Sequence, residues 1–199
     1  MSGPFNPAAE RNKAPILAAM TPYLGAAREI LEIGAGSGQH AAHFATELNH
    51  LRWQASEQVE NLVGLAFNLA QCALPNLPPP LALDVLRQPW PLARCDAVYA
   101  ANVVQCMTSA AVEALFSGVV TVLARDGCFL LYGPFNREGR YTSEGNARLD
   151  AWARGLHPDF GLRDRAALEV LAGRVGLRLC EDLVLPANNQ LLVWRHLDG

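Results

Sequence analysis

Between Glu32 and Gly38 the chain reads Glu32-Ile33-Gly34-Ala35-Gly36-Ser37-Gly38, with glycine at every second position from 34 to 38. The run follows apolar Ile30, Leu31 and Ile33 and precedes Ala41, Phe44, Ala45 and Leu48, which recur at helical spacing. A strand that passes into a helix through glycines turns sharply and lays bare backbone beside a ligand. The spacing restricts the ligand too. A dinucleotide fingerprint G-x-G-x-x-G counted from Gly34 and Gly36 needs glycine at 39, where Gln39 stands.

At 199 residues the chain is expected to form one domain over 1–199, with an N-terminal lid or helix over 1–25 and a core over 26–199. Half the residues are apolar (51%) and few are charged (18%), which argues for a folded globule rather than disorder. A net charge of −3 supplies no basic footprint for phosphates, so nucleic acid is not the expected partner. No two cysteines have C-x-x-C spacing, which excludes a zinc ribbon and a dithiol redox motif. Cys95, Cys128 and Cys180 read as small core hydrophobes. His40 and His43 lie three apart without the further ligands a metal needs, so no metal is expected. Met1 to Lys13 lacks the apolar core of a signal peptide and no stretch has the length of a membrane span. A cytoplasmic protein is the expectation; the oligomeric state is left open.

Strand and helix patterns alternate almost throughout, as in an α/β fold with a parallel sheet. Strands are expected at 28–34, 51–56, 81–84, 96–101 and 127–133. Helical spacing follows at 38–48, at Val59 to Leu69 and at Val112 to Leu123, and again around Leu149 to Leu156 and over 165–175. The segment 134–146 reads as irregular. The close, 177–185 and 190–194 around Pro186-Ala187-Asn188, is a hairpin, because parallel strands need a longer crossover. An acidic residue before G-x-G-x-G, in five βα units that end in an antiparallel hairpin, resembles the class I S-adenosylmethionine (SAM) methyltransferases. The implied fold is Rossmann-like: a seven-stranded, mostly parallel sheet with a C-terminal antiparallel hairpin and helices on both faces.

Within that frame Gly34, Gly36 and Gly38 form the cofactor loop. Glu57 ends the second strand, where a carboxylate can accept from both ribose hydroxyls; the plain alternative is a helix-start carboxylate. Asp84 ends the third strand, facing the adenine, and is otherwise a turn aspartate. Glu32 holds loop amides or water beside the sulfonium. His40, in the first turn of the next helix, borders the cofactor. Asn102 ends the fourth strand, pointing at the reacting centre or serving a local turn. Tyr132 ends the fifth and is a wall residue or an ordinary core tyrosine.

Several segments together resemble a narrower group. These are Asn6 to Leu17, Gly38-Gln39-His40-Ala41, Leu83-Asp84-Val85, Tyr132-Gly133-Pro134-Phe135, Thr142-Ser143 with Asn146, Gly161 to Asp164, and Pro186-Ala187-Asn188-Asn189. The chain is similar along nearly its whole length to the methyltransferase-like protein 26 family, also called domain of unknown function 938. The resemblance implies SAM as cofactor and S-adenosylhomocysteine as product. It also implies that Arg11 pairs with the cofactor's methionine carboxylate, that Asn12 joins the same site, and that Asn102, Tyr132 and Asn146 shape the acceptor pocket. Arg163-Asp164 reads as an N-cap and surface pair.

One departure matters. Where relatives commonly carry Asn, two apolar residues and then His-Ile-Ser, this chain reads Asn102-Val103-Val104-Gln105-Cys106-Met107. An amide takes up no proton at neutral pH, so Gln105 cannot act as a base in place of that histidine. The expected activity is SAM-dependent methyl transfer to a small-molecule acceptor, with no catalytic base assigned. The alternative is a SAM-binding or S-adenosylhomocysteine-binding sensor or scaffold without transferase activity. A nicotinamide oxidoreductase is disfavoured by Gln39 and the closing hairpin.

Overall fold

The computed structural model describes residues 5–197; residues 1–4 and 198–199, part of the expected 1–25 and 26–199 segments and of Met1 to Lys13, lie outside it. The chain opens with helix α1 (Pro7–Leu24), started by Asn6, whose side chain accepts from the amides of Ala8 and Ala9 at 2.9 and 3.3 Å. Ile16, Met20 and Leu24, four residues apart, are its buried stripe. Strand β1 (Glu29–Ile33) then runs through the glycine turn into α2 (Gln39–Glu47). Next come β2 (Arg52–Glu57), α3 (Val59–Ala70), β3 (Leu81–Ala82) and β4 (Cys95–Ala101). A 3₁₀ turn at Val104–Cys106 leads to α4 (Ser109–Val122) and β5 (Leu123–Gly133). Helices α5 (Glu144–Leu156) and α6 (Arg165–Arg174) precede the hairpin of β6 (Leu177–Leu185) and β7 (Asn189–His196).

The seven strands lie in the order β3-β2-β1-β4-β5-β7-β6. The first five in chain order pair in parallel, and β7 lies antiparallel to both β5 and β6. Alternate residues of each strand feed opposite faces. Leu31, Val98 and Phe129 pack with α4 and α6, while Ile30, Tyr99 and Leu130 pack with α1, α2 and α3. The expected Rossmann-like class I methyltransferase architecture is therefore the observed one. Strand order reverses at β1, between β2 and β4, which opens a crevice beyond the strands' carboxyl ends.

Three local differences have physical reasons. Strand β3 is two residues long rather than four, because Asp84 leaves the ladder to make a turn in which its side chain accepts from Leu86 N–H at 3.0 Å. Strand β5 begins at Leu123 rather than 127, since Leu123 pairs with Cys95 across a bulge. Cys95 and Cys128 are buried, but Cys180 lies on the outermost strand β6 and is only half-buried. Among the described residues no helix is long and apolar enough to cross a membrane.

Candidate functional site

The glycine turn is built for close approach. Gly34, Gly36 and Gly38 all take left-handed backbone (φ 69°, 58° and 82°), which side chains adopt only under strain. A Cβ on Gly34 would stand 2.6 Å from Val103, and one on Gly38 2.6 Å from Leu69, whereas one on Gly36 would meet nothing within 4 Å. The first and third glycines thus close the turn onto its neighbours, and the second faces open space. Glu57 holds the turn: its Oε2 accepts from Gly36 N–H at 2.9 Å and its Oε1 from Gln58 N–H at 2.8 Å. Each oxygen retains a lone pair for a further donor.

A cavity of about 340 Å³ lies beyond the strand ends, and Gly34, Glu57, Asp84, Asn102, Met107 and Phe160 are part of its wall. The structure therefore gathers on one wall four residues that lie far apart in sequence: Gly34, Glu57, Asp84 and Asn102. Asp84 also accepts from Leu86 N–H and faces Arg87 at 3.4 Å, so it is a turn aspartate and a cavity residue at once. A second space, about 600 Å³, separates the start of α1 from the turn and is bordered by Asn6, Pro7, Gly36, Ser37 and Glu60.

Gln39, which breaks the dinucleotide spacing, has its own task. Its Oε1 accepts from Asn6 N–H at 2.6 Å and from the Ser37 hydroxyl at 3.0 Å, and its Nε2 donates to Glu10 at 3.4 Å. It ties α1 across the turn.

The Glu32 and His40 side chains are both engaged by groups of the interior. The Glu32 carboxylate, on the interior strand β1, is buried and accepts from Trp53 Nε1 at 2.7 Å; the loop amide at Gly36 is held by Glu57. Burial pushes the Glu32 carboxyl up to about 7, against the Trp53 bond. His40 Nε2 meets Asn12 Oδ1 at 2.7 Å and its Nδ1 meets the Tyr99 hydroxyl at 3.1 Å. Asn12 Oδ1 accepts, so the proton sits on Nε2 and Nδ1 accepts from Tyr99, leaving neither nitrogen for a cofactor. Burial lowers the ring to about 4 and keeps it neutral.

The other expected residues are spread around this centre. Arg11 is exposed on α1, one turn after Pro7, and has no ion-pair partner among the described residues. Asn12 faces His40 and, with Asn189, the Tyr132 hydroxyl. Tyr132 is fully buried, and burial raises its phenol above the ordinary range. Asn146 is buried as well; its Nδ2 donates to Thr142 Oγ1 at 2.7 Å and to Asn188 O at 3.4 Å, fastening α5 to the hairpin turn. Neither Tyr132 nor Asn146 borders the 340 Å³ cavity.

Arg163 is not the surface residue its sequence position suggests. Its guanidinium enters from the loop before α6 and donates to Val104 O at 3.3 Å, to Met107 O, and to Asp159 O at 2.9 Å. It clamps the 3₁₀ turn whose Val103, Cys106 and Met107 border the cavity. An arginine beside an N-cap aspartate carries no sequence signal for that role. Asp164 itself caps α6 as expected, accepting from Ala166 N–H at 2.9 Å.

A family model described as Protein of unknown function (DUF938) matches residues 3–196. The chain belongs to that family. Solved structures similar to this DUF938 chain include the mitomycin 7-O-methyltransferase MmcR, at 16% identity and a TM-score of 0.81, covering 94% of this chain and 54% of that one. The calicheamicin-biosynthesis methyltransferase CalO1, in its S-adenosylhomocysteine-bound form, matches at 16% identity and 0.78, over 95% and 54%. Human N-acetylserotonin methyltransferase in complex with SAM matches at 15% and 0.77, over 93% and 51%. The chain thus spans about half the length of these proteins and shares their methyltransferase fold.

Proposed function

We propose that this protein, a DUF938 chain of the methyltransferase-like protein 26 type, binds SAM beyond the ends of β1 to β4 and transfers its methyl group to a small-molecule acceptor in the cytoplasm. The carrying observation is Glu57: fixed by two backbone amides, it faces the same cavity as Gly34, Asp84 and Asn102 with lone pairs to spare. That geometry fits a ribose, whose two hydroxyls donate to one carboxylate. Asp84 accepts from the adenine's exocyclic amine, and Arg11 supplies the free cation for the methionine carboxylate, with Asn12 beside it. Gly36 gives the backbone room at the turn, while Glu32 and His40 support it from beneath. When bound, SAM supplies a methyl carbon activated by its sulfonium, and the electron pair of the broken C–S bond returns to sulfur as S-adenosylhomocysteine leaves. The protein's own part is to align the acceptor and exclude water. Asn102 stands at the boundary of the two ligands, with Tyr132 and Asn146 as back wall of the acceptor side.

Calorimetric titration with SAM, S-adenosylhomocysteine and NADH tests the cofactor. The sulfur ligands are expected to bind and NADH is not; NADH binding alone sinks the reading. A second reading, a SAM-binding sensor or scaffold without transfer, is favoured by Gln105, which supplies no base. It is the better account if labelled SAM binds but passes no methyl group to any member of a broad panel of small acceptors.

A further inference from the structure

The space above Gly133 has no backbone reason to be empty. Gly133 is the last residue of β5, paired with Gln190 and free of left-handed backbone, so any residue suits its conformation. A Cβ there would lie 3.7 Å from the tip of the Phe135 ring, 3.8 Å from Asn102 Oδ1 and 3.9 Å from Gln105 Oε1, all ordinary contact distances. The glycine therefore leaves a methyl-sized gap on which two carboxamide oxygens converge.

Both oxygens lack partners. Gln105 is 5% exposed, and its Oε1 is buried without a hydrogen bond. The Asn102 side chain has no hydrogen-bond partner among the described residues, and Asn102 also borders the 340 Å³ cavity. A buried carboxamide oxygen left unpaired costs stability, and a hydrogen donated by a ligand would relieve that cost. The backbone on either side is held firmly. Asn102 takes left-handed backbone (φ 54°) while its N–H donates to Tyr132 O at 2.9 Å. Gln105 O accepts from Gly161 N–H at 2.9 Å, and Arg163 clamps the rest of the turn. Two uncharged acceptors on a firmly held backbone, both within 4 Å of one gap, select a group by the hydrogens it donates.

We propose that Asn102 and Gln105 form an acceptor-reading pair, taking hydrogens from an uncharged donor group, an amino or hydroxyl, of the molecule to be methylated. This rests on the SAM reading above and deepens it. Held by its hydrogens, the donor atom keeps a lone pair directed away from the two oxygens, and the pair itself removes no proton. Acceptors that attack while still carrying their hydrogens, neutral amines above all, suit such a site, the ammonium formed by methylation losing its proton to water afterwards.

The test uses aniline, phenol and toluene, which share a ring and carry an amino donor, a hydroxyl donor and none. Dissociation constants are measured by NMR titration at pH 7 on protein saturated with S-adenosylhomocysteine, whose own affinity is determined first. Aniline and phenol are expected to bind at least about fivefold more tightly than toluene. Gln105→Met and Gly133→Ala, which remove one oxygen or fill the gap, are expected to bring all three within about twofold. Which of aniline and phenol leads identifies the donor. Equal binding of toluene to the unaltered protein, or a gap that survives in either variant, overturns the proposal. The melting temperature of Gln105→Met is expected to hold or rise, because an unpaired buried oxygen has gone; a fall would mark the amide as structural and also overturn it. Absent S-adenosylhomocysteine binding instead takes down the cofactor reading, so the two failures are distinguishable.

Discussion

The carboxyl ends of β2 and β3 present carboxylates, Glu57 and Asp84, to the cavity, whereas the chain after β4 and the start of antiparallel β7 carry carboxamides, Asn102 and Gln105 and then Asn189 and Gln190, of which Asn102 borders the cavity. The two regions adjoin at the glycine turn, yet they suit different ligands. A carboxylate makes charge-assisted bonds to hydroxyls and amines and tolerates partial exposure. Carboxamides stay neutral at every working pH and discriminate by geometry. On the reading proposed above, one side holds a ligand of fixed chemistry tightly and the other recognises its ligand without proton transfer.

The sharpest way to break this division is Glu57→Ala. It removes the ribose acceptor and frees the Gly36 amide at once, so we expect a loss of about 3 kcal/mol in S-adenosylhomocysteine binding, roughly a hundredfold by calorimetry. The aniline and toluene affinities should move little. If Glu57→Ala weakened the probes as much as the cofactor, the two regions would be one site.

Beneath the seam lie two buried ionisable groups with opposite pH demands. The Glu32 carboxyl is held up at about 7 from an ordinary 4.5, so its contribution is complete at low pH and is lost as pH rises from 4.5 to about 7. His40 is depressed to about 4 from 6.5, so its contribution is complete above 6.5 and is lost as pH falls toward 4. Each is worth about 3 kcal/mol at its limit, and between pH 4.5 and 6.5 they oppose each other. Glu32→Gln, which can still accept from Trp53, should unmask His40: stability then climbs with pH from 4 to 6.5 by about 2–3 kcal/mol more than in the unaltered protein. Urea titrations at four pH values read that slope. An unchanged slope would mean that the Glu32 carboxyl is not held protonated in the unaltered protein, and a flat slope in the variant that the imidazole is not held neutral.

Arg163→Ala probes the carboxamide side. It strips three carbonyls of a half-buried guanidinium, and we expect about 2 kcal/mol of destabilisation, a fall of roughly 4–8 °C in melting temperature. The donor preference among aniline, phenol and toluene should blur while cofactor affinity changes less than threefold, by about 0.6 kcal/mol at most. The opposite pattern, intact preference with lost cofactor, would reverse the assignment of the two regions.

The carboxylate region was legible because its signals are local. A glycine turn, an acid at the end of the second strand and an aspartate at the end of the third each stand directly after an apolar run. The parallel sheet followed from the strand–helix alternation, and the closing hairpin from the short Pro186-Ala187-Asn188 connection. The carboxamide region is assembled from β4, β5, α1, α5 and the hairpin, so its residues meet only in three dimensions. Nothing near Gln105 in sequence tells that its oxygen is orphaned over Gly133, and nothing beside Asp164 tells that Arg163 turns inward. The partners of His40 were hidden for a related reason. Its place in the first turn of α2 is beside the glycine loop, but its ring points to Tyr99 and Asn12 in the core.

The smallest expected effect concerns Arg11, exposed on α1. Arg11 is exposed and has no ion-pair partner among the described residues, so the proposed pairing with the cofactor's methionine carboxylate would take place within reach of water. Exposed pairs contribute about 0.2–1 kcal/mol. Arg11→Ala should therefore weaken S-adenosylhomocysteine binding less than about fivefold and leave the melting temperature within a degree or so. The loss should shrink as salt is raised from 50 to 500 mM, because screening erases an exposed pair first. Decarboxylated S-adenosylhomocysteine, which lacks the carboxylate, makes the comparison strict: its affinity should be the same for Arg11→Ala and the unaltered protein. A larger, salt-insensitive loss would place Arg11 in a closed, desolvated pocket and make α1 part of the tight carboxylate site rather than its rim.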